Sequence, residues 1–185
     1  MRLFIAVNIS ENNHKKIAGI RTILKKAGAD IKWVTDENIH ITLKFLGDTG
    51  EEKLAGIKAK IETAIAGTKQ FEICLDCCGF FPSEISPRIF FIGIKNGSKN
   101  LSGIAGKLDA ELSEIGFSKE TRPFAAHITI GRFRSGKGSE KLAKEAVKFP
   151  GETIRETVEK ISLIKSTLTP AGPVYETVEE FCLEK

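Results

Sequence analysis

The stretch His40-Ile-Thr-Leu43 recurs 87 residues later as His127-Ile-Thr-Ile130. The same displacement, applied without gaps, carries the apolar run Leu3-Phe-Ile-Ala-Val7 onto Phe90-Phe-Ile-Gly-Ile94. The period is too long for a solenoid, and there are only two copies. We therefore predict two similar α+β lobes related by a pseudo-twofold axis, which would bring the two His-x-Thr segments face to face in one cleft.

Each half of the sequence predicts the same order of elements: strand, helix, His-x-Thr strand, helix and two further strands. Ser10 is expected to cap the first helix, and Thr49-x-x-Glu52 resembles a capping box for the second. The expected fold class is α+β. It is a duplicated bilobal fold in which two antiparallel sheets with flanking helices surround a central cleft, and residues 1–185 form a single domain.

On a strand, residues i and i+2 point to the same face, so His40 shares a face with Thr42, and His127 with Thr129. Hydrolysis of a phosphodiester at neutral pH needs a base to deprotonate water and an acid to protonate the leaving oxygen. Histidine titrates closest to that pH, and threonine hydroxyls can donate hydrogen bonds to phosphate oxygens. One His-x-Thr segment is weak evidence, because threonine is common in strands. Two segments at matching places indicate a phosphodiesterase site.

These motifs resemble those of the 2H phosphoesterases, and HITLKFLG with HITIGR is most similar to the RNA 2′,3′-cyclic phosphodiesterase branch, historically called 2′-5′ RNA ligases. The opening RLFIAV, the segment Trp33-Val34, the segment Asn38-Ile-His40 and the closing stretch Ser166 to Tyr175 are also similar to that branch. The resemblance covers essentially the whole chain.

The resemblance implies hydrolysis of RNA 2′,3′-cyclic phosphate ends to 2′-phosphates, with possible 2′-5′ ligation by reversal. It implies His40 as the proton donor and His127 as the proton acceptor, although the residues alone do not orient these roles because the two halves are too alike. Thr42, Thr129 and Arg132 would bind the phosphate. No cofactor and no metal are expected, and the partner is RNA with cyclic phosphate ends, tRNA fragments being one candidate source.

Two residues that flank the second motif, Arg132 and Ala126, depart from the simple strand or family pattern. Strict alternation would put Arg132 on the face opposite His127, unless a bulge at Gly131 re-aims it. The family often has proline directly before the second histidine, where this chain has Ala126. That difference affects how the chain enters the strand more than it affects the chemistry.

Other functions remain open at this level. The substrate could be a small cyclic nucleotide or a 2′,5′-linked oligonucleotide, and the protein could also bind RNA ends without catalysis. Cys74-x-x-Cys77 suggests zinc or redox chemistry, but on a strand the two thiols would point to opposite faces. The segment Gly131 to Gly138 nearly matches a P-loop, except that Gly138 stands where a magnesium-binding Ser or Thr is needed.

Several residues have two possible roles. Trp33 and Phe81 could stack on a terminal base or belong to the core, and the core is the better prediction. No role for Tyr175 follows from the residues. Beyond Arg132, three basic residues could edge the cleft and meet the RNA backbone: Arg134, Lys137 and Lys141.

Composition agrees with an ordinary globular protein. The 185 residues carry a net charge of +4, which permits an anionic partner without requiring one. No apolar run approaches the ~20 residues that span a bilayer. We therefore expect a cytoplasmic protein without a membrane partner, and a monomer because the duplication already supplies both motifs.

Overall fold

A computed structural model describes residues 1–149, 154–170 and 172–185. In these residues four α-helices pack on two sheets: α1 (Glu11–Lys25), α2 (Leu54–Ile65), α3 (Ser98–Ser113) and α4 (Ser139–Ala146). The strands are β1 (Arg2–Asn8), β2 (Ile31–Trp33), β3 (His40–Asp48), β4 (Phe71–Phe81), β5 (Ile89–Ile94), β6 (His127–Phe133), β7 (Arg155–Val158), β8 (Lys160–Thr169) and β9 (Gly172–Cys182).

Both sheets are antiparallel, which confirms the expected α+β class. One sheet has the order β3-β1-β8-β9, and the other has the order β2-β6-β5-β4-β7. Each sheet therefore holds one His-x-Thr strand. The central strands are continuous apolar runs, such as Leu3 to Val7 in β1, whose side chains are at most 3% exposed.

Neither sheet is built from one half of the sequence. Strand β4 follows α2 in the first half but pairs with β5 of the second half, while β8 and β9 return from the end of the chain to pair beside β1. Strand β2 also crosses over and pairs with β6. The two halves thereby exchange strands, so that the sheet around each histidine depends on both halves.

The displacement of 87 does not hold for the first strand of each half. In the sheets, Asn8 lies opposite His40, and Gly93 lies opposite His127, so β1 is related to β5 by 85 residues. A shift of two residues keeps every side chain on the same face. The apolar pattern of these strands is therefore the same for either displacement, and it could not reveal the difference.

The expected helix caps are absent at the two predicted positions. The Ser10 hydroxyl donates to the Glu156 carboxylate at 2.8 Å, and no side-chain cap bond forms at the start of α1. The Thr49 hydroxyl donates back to the Gly47 carbonyl at 3.2 Å, and a short 3-10 helix precedes α2. Ser10 thus has a tertiary partner in place of a local cap, while Thr49 bonds a carbonyl of its own turn. Within the described residues, no helix is both long and apolar enough to cross a membrane.

Candidate active site

Strands β3 and β6 belong to different sheets but lie side by side, with Cα atoms within 8 Å of each other. Along β3, Ile41 is fully buried while His40 and Thr42 are half-buried. Along β6, Ile128 is fully buried while His127 and Thr129 are half-buried. The apolar residues fix each strand on the core, so the imidazole and hydroxyl of each motif face away from it on a rigid element.

A β-bulge follows each motif. Ile5 pairs with Lys44 and Ala6 with Thr42, which leaves Leu43 as the extra residue of β3. Ile130 is the extra residue at the same place in β6. A bulge puts two consecutive residues on the core side, and it therefore returns the next one to the opposite face.

The bulge in β6 decides the position of Arg132. Ile130 and Gly131 are both buried, whereas Arg132 is exposed and its positive charge acts on both His40 and His127. Gly131 is needed here because a Cβ would lie 2.3 Å from the Cδ1 atom of Ile31 on β2. Arg132 therefore shares the histidine face, which strict alternation would have denied it.

The His40 ring is oriented by its own strand and by aromatic neighbours. Its Nδ1 lies 2.9 Å from the Asn38 carbonyl, and its Nε2 lies 3.0 Å from the Thr42 hydroxyl. The rings of Phe4 and Tyr175 lie with centroids 4.9 Å and 5.4 Å from the imidazole. Because Nδ1 donates to a carbonyl, Nε2 is the nitrogen left for chemistry.

The His127 ring repeats this arrangement with different neighbours. Its Nδ1 lies 2.7 Å from the Ala125 carbonyl, again two residues before the histidine. Phe81 and Phe91 flank it at 5.1 Å and 5.4 Å. Gly79 makes room for Phe91, since a Cβ there would lie 2.4 Å from that ring. Both imidazoles are thus held by a backbone carbonyl at Nδ1 between aromatic rings.

These surroundings lower the basicity of both imidazoles. The pKa of His40 is lowered to about 4, mainly by burial; the hydrogen bond to Asn38 opposes this effect, and the positive charges of Arg132 and of a protonated His127 add to it. Burial also lowers the pKa of His127, with Arg132 acting in the same direction. Both rings are therefore neutral at pH 7 while the cleft holds no anion.

The aromatic residues divide between core and site. Trp33 packs on the core, where its ring lies edge-on to Phe90 at 6.0 Å. Phe81 stacks on Phe91 beside His127, so the prediction that it belongs to the core is wrong. Phe4 and Phe91 were missed as neighbours of the histidines, because an aromatic residue inside an apolar strand looks like any other core residue.

The structure offers no support for a zinc site at the cysteines or for a nucleotide-binding loop. Cys74 is buried while Cys77 is exposed, and no group of three or more His, Cys, Asp or Glu side chains in the described part of the chain could hold a metal ion. Gly138 adopts φ +77°, and a Cβ there would lie 2.7 Å from the backbone of Ala29. Close packing of the loop on Ala29 accounts for this glycine.

Comparison with known proteins agrees with this geometry. The model of the family described as LigT like Phosphoesterase matches the chain twice, over residues 7–91 and 92–175. The chain belongs to the LigT-like phosphoesterase family. The two matches divide the chain close to the boundary of the internal repeat.

Relatives of this LigT-like phosphoesterase cover almost its full length. It is 41% identical to the RNA 2′,3′-cyclic phosphodiesterase of Methanocaldococcus jannaschii, over 98% of this chain and 100% of the relative. It is 35% identical to the enzyme of that name from Methanothermobacter thermautotrophicus, over 99% of both chains. A crystal structure of a Thermus thermophilus protein superposes with a TM-score of 0.79 and 28% identity, covering 99% of this chain and 98% of that one.

Proposed function

We propose that this phosphoesterase hydrolyses the 2′,3′-cyclic phosphate at the end of an RNA chain to a 2′-phosphate and a free 3′-hydroxyl. The observation that carries the proposal is the pair of equivalent imidazoles, each held at Nδ1 by a carbonyl two residues earlier in the chain. Arg132 acts electrostatically on both of them. The names of the full-length relatives support the same substrate.

In this mechanism His127 accepts a proton at Nε2 from the attacking water, whose oxygen forms the new bond to phosphorus. The bond from phosphorus to the 3′-oxygen breaks, and His40 donates the proton that this oxygen needs. The assignment of donor and acceptor follows the family resemblance. Thr42, Thr129 and Arg132 stabilise the charge that accumulates on the non-bridging oxygens. A 5′-hydroxyl of a second RNA in place of water would give a 2′-5′ linkage by the same steps.

The cyclic phosphate also resolves a difficulty in the protonation states. The proposed donor must carry a proton, yet burial leaves His40 neutral at pH 7. An anion beside an imidazole favours its charged form and raises its pKa. The substrate therefore brings the protonated state with it, and its binding is coupled to the uptake of a proton.

The first test uses an RNA oligonucleotide that ends in a 2′,3′-cyclic phosphate, incubated with the enzyme and EDTA. Because all the proposed catalytic groups are protein side chains, EDTA should not prevent the reaction. We expect a product that is heavier by one water and carries its phosphate on the 2′-oxygen. Mass spectrometry and phosphatase-sensitive end mapping measure both properties. An unchanged substrate, or a 3′-phosphate product, would refute the proposed reaction.

The pH profile tests the two-histidine mechanism. The dependence of kcat/KM reports the free enzyme, and that of kcat reports the enzyme–substrate complex. Since both folded histidine pKa values are depressed, the bell of kcat/KM should lie on the acid side of pH 6.5, which is the ordinary histidine pKa. The bound anion raises these values, so the kcat profile should be shifted toward alkaline pH. Coincident profiles centred above pH 7 would contradict this assignment.

Protein stability should follow the same titration. A histidine whose folded pKa is depressed contributes stability that is fully present above its unfolded pKa and is lost as the pH falls through the folded value. For His40 this window runs from about 6.5 to about 4.

A further inference from the structure

An open pocket of about 620 Å³ continues from Arg132 away from the histidines. Three arginines line it: Arg88 directly before β5, Arg132 on β6 and Arg134 just after β6. Hydroxyl-bearing Ser86 and Ser135 also line its wall. No Asp or Glu lines the pocket among the described residues, so its surface is strongly positive.

The arginine charges in this pocket are poorly neutralised by the protein itself. Among the described residues, neither Arg88 nor Arg132 has an ion-pair partner. Arg134 has one distant partner, Asp30 at 3.8 Å, while 66% of the arginine side chain is exposed. The same carboxylate also accepts a hydrogen bond from the Ser135 hydroxyl at 2.7 Å. Several guanidinium donors are therefore left for a ligand.

The sheet next to the pocket places like charges together. Lys32 on β2 lies directly opposite Arg132 in the antiparallel pair, so both side chains project from the same face. Like charges in directly opposed positions destabilise a sheet. An anion bound between Lys32 and Arg132 would relieve this repulsion. It would also lie beside the other two arginines of the pocket.

We propose that this pocket binds the phosphodiester on the 5′ side of the terminal nucleotide. The inference rests on the proposed function and adds a preference for RNA chains over mononucleotides. Arg132 borders both the histidine face and the pocket. A nucleotide whose 2′- and 3′-oxygens are closed in a cyclic phosphate continues into the chain only through its 5′-oxygen, so the nearest further anion is that phosphodiester. Guanidinium groups bind phosphate oxygens in paired, charge-assisted hydrogen bonds.

The test compares four substrates with the same cyclic phosphate end. They are a mononucleotide with a 5′-hydroxyl, the same mononucleotide with a 5′-phosphate, a dinucleotide, and a dinucleotide with an uncharged methylphosphonate linkage. We expect wild-type kcat/KM to be about tenfold or more higher for the natural dinucleotide than for the first mononucleotide. The double variant R88Q/R134Q should lose this advantage and change far less on the mononucleotide. The matched control K99Q/K107Q, which removes two exposed charges on α3, should keep it.

The outcomes separate this inference from the proposed function. An equal loss of kcat/KM by R88Q/R134Q on all four substrates would overturn the phosphodiester site. An equal wild-type kcat/KM for the natural and the uncharged dinucleotide would overturn it as well. A full advantage for the 5′-phosphorylated mononucleotide would show that a phosphate is bound but no chain is required, and it would also overturn the preference. Turnover of the RNA oligonucleotide but of none of these four substrates would overturn the site, because the natural dinucleotide already contains the phosphodiester. If the wild-type enzyme left the oligonucleotide unchanged as well, the proposed function itself would fail.

Discussion

Replacement of either His40 or His127 with alanine is expected to lower kcat on a cyclic phosphate RNA end by about 10²–10⁴, the usual contribution of a positioned acid or base. Both rings are half-buried on the cleft face of their strands, and each makes a hydrogen bond to a carbonyl of its own chain. Their removal leaves the buried residues of β3 and β6 in place. Far-ultraviolet circular dichroism and the melting temperature should therefore change little.

The double variant shows whether the histidines act together. When two groups act together in one step, the effects of removing them are not additive. H40A/H127A should therefore be about as slow as the slower single variant. Turnover that survives in the double variant at the wild-type rate would exclude the two-histidine mechanism. Retained binding of the RNA end without turnover in the wild-type enzyme would instead indicate a binding protein.

A substrate with sulfur in place of the 3′-oxygen shows which histidine is the proton donor and which is the acceptor. A thiol with a pKa of about 8.5 leaves as an anion far more readily than an alcohol, so its departure needs no proton donor. If His40 is the donor, the sulfur substrate should restore much of the rate of H40A and none of that of H127A. Rescue of H127A alone would reverse the assignment. This test distinguishes the roles, which the near-identical motifs leave open.

The two motifs could be predicted because their chemistry depends on strand periodicity alone. Alternation places His40 with Thr42 whatever surrounds the strand, and the apolar partner Ile41 predicts which face is buried. Similar reasoning for Arg132 fails, because its position depends on the extra residue of a bulge. Gly131 indicated the possibility of a bulge, but only the register with β5 shows that it forms.

The strand exchange and the helix caps depend on contacts that a local pattern does not contain. The sequence of β4 predicts an ordinary strand of the first half, yet β4 pairs with β5 of the second half. Ser10 has the residue type of a cap, but Glu156 on β7 offers a charged acceptor, and the hydroxyl binds it instead. In both cases a residue distant in the chain determines the outcome, so propensity and periodicity near the residue are insufficient.

The bulge after the first motif creates a buried ion pair that should dominate the stability of the cleft. Lys44, which is 2% exposed, donates to the Asp109 carboxylate of α3 at 2.6 Å and to the Ser118 carbonyl at 2.9 Å. The same carboxylate oxygen accepts the Glu120 backbone N–H at 3.0 Å. The pair therefore fastens the His40 strand to the helix and loop that lead toward His127.

Asp109→Ala should cost about 3–5 kcal/mol of unfolding free energy, because it leaves the Lys44 ammonium buried without its counter-ion. For a protein of this size, that corresponds to a fall of the melting temperature of about 6–20 °C. Lys15→Ala is the matched control, since its partner Glu11 and Lys15 itself are 83% and 73% exposed, and such pairs contribute about 1 kcal/mol or less. Chemical denaturation of both variants measures the difference in unfolding free energy. Equal losses would show that the Lys44–Asp109 pair contributes no more to stability than an exposed pair.

The double variant K44M/D109L separates the ionic contribution from the packing contribution. Apolar side chains of similar size in place of a buried ion pair are often neutral or stabilising, so we expect K44M/D109L to be more stable than Asp109→Ala.

The pH dependence of the unfolding free energy provides an independent check. Burial alone would raise the pKa of Asp109, but the hydrogen bonds from Lys44 and from the Glu120 backbone hold it below the ordinary value. The contribution of the pair should therefore be present at neutral pH and be lost as the pH falls through this lowered pKa. K44M/D109L should lack that acid-sensitive component, whereas a variant that altered packing alone would retain it.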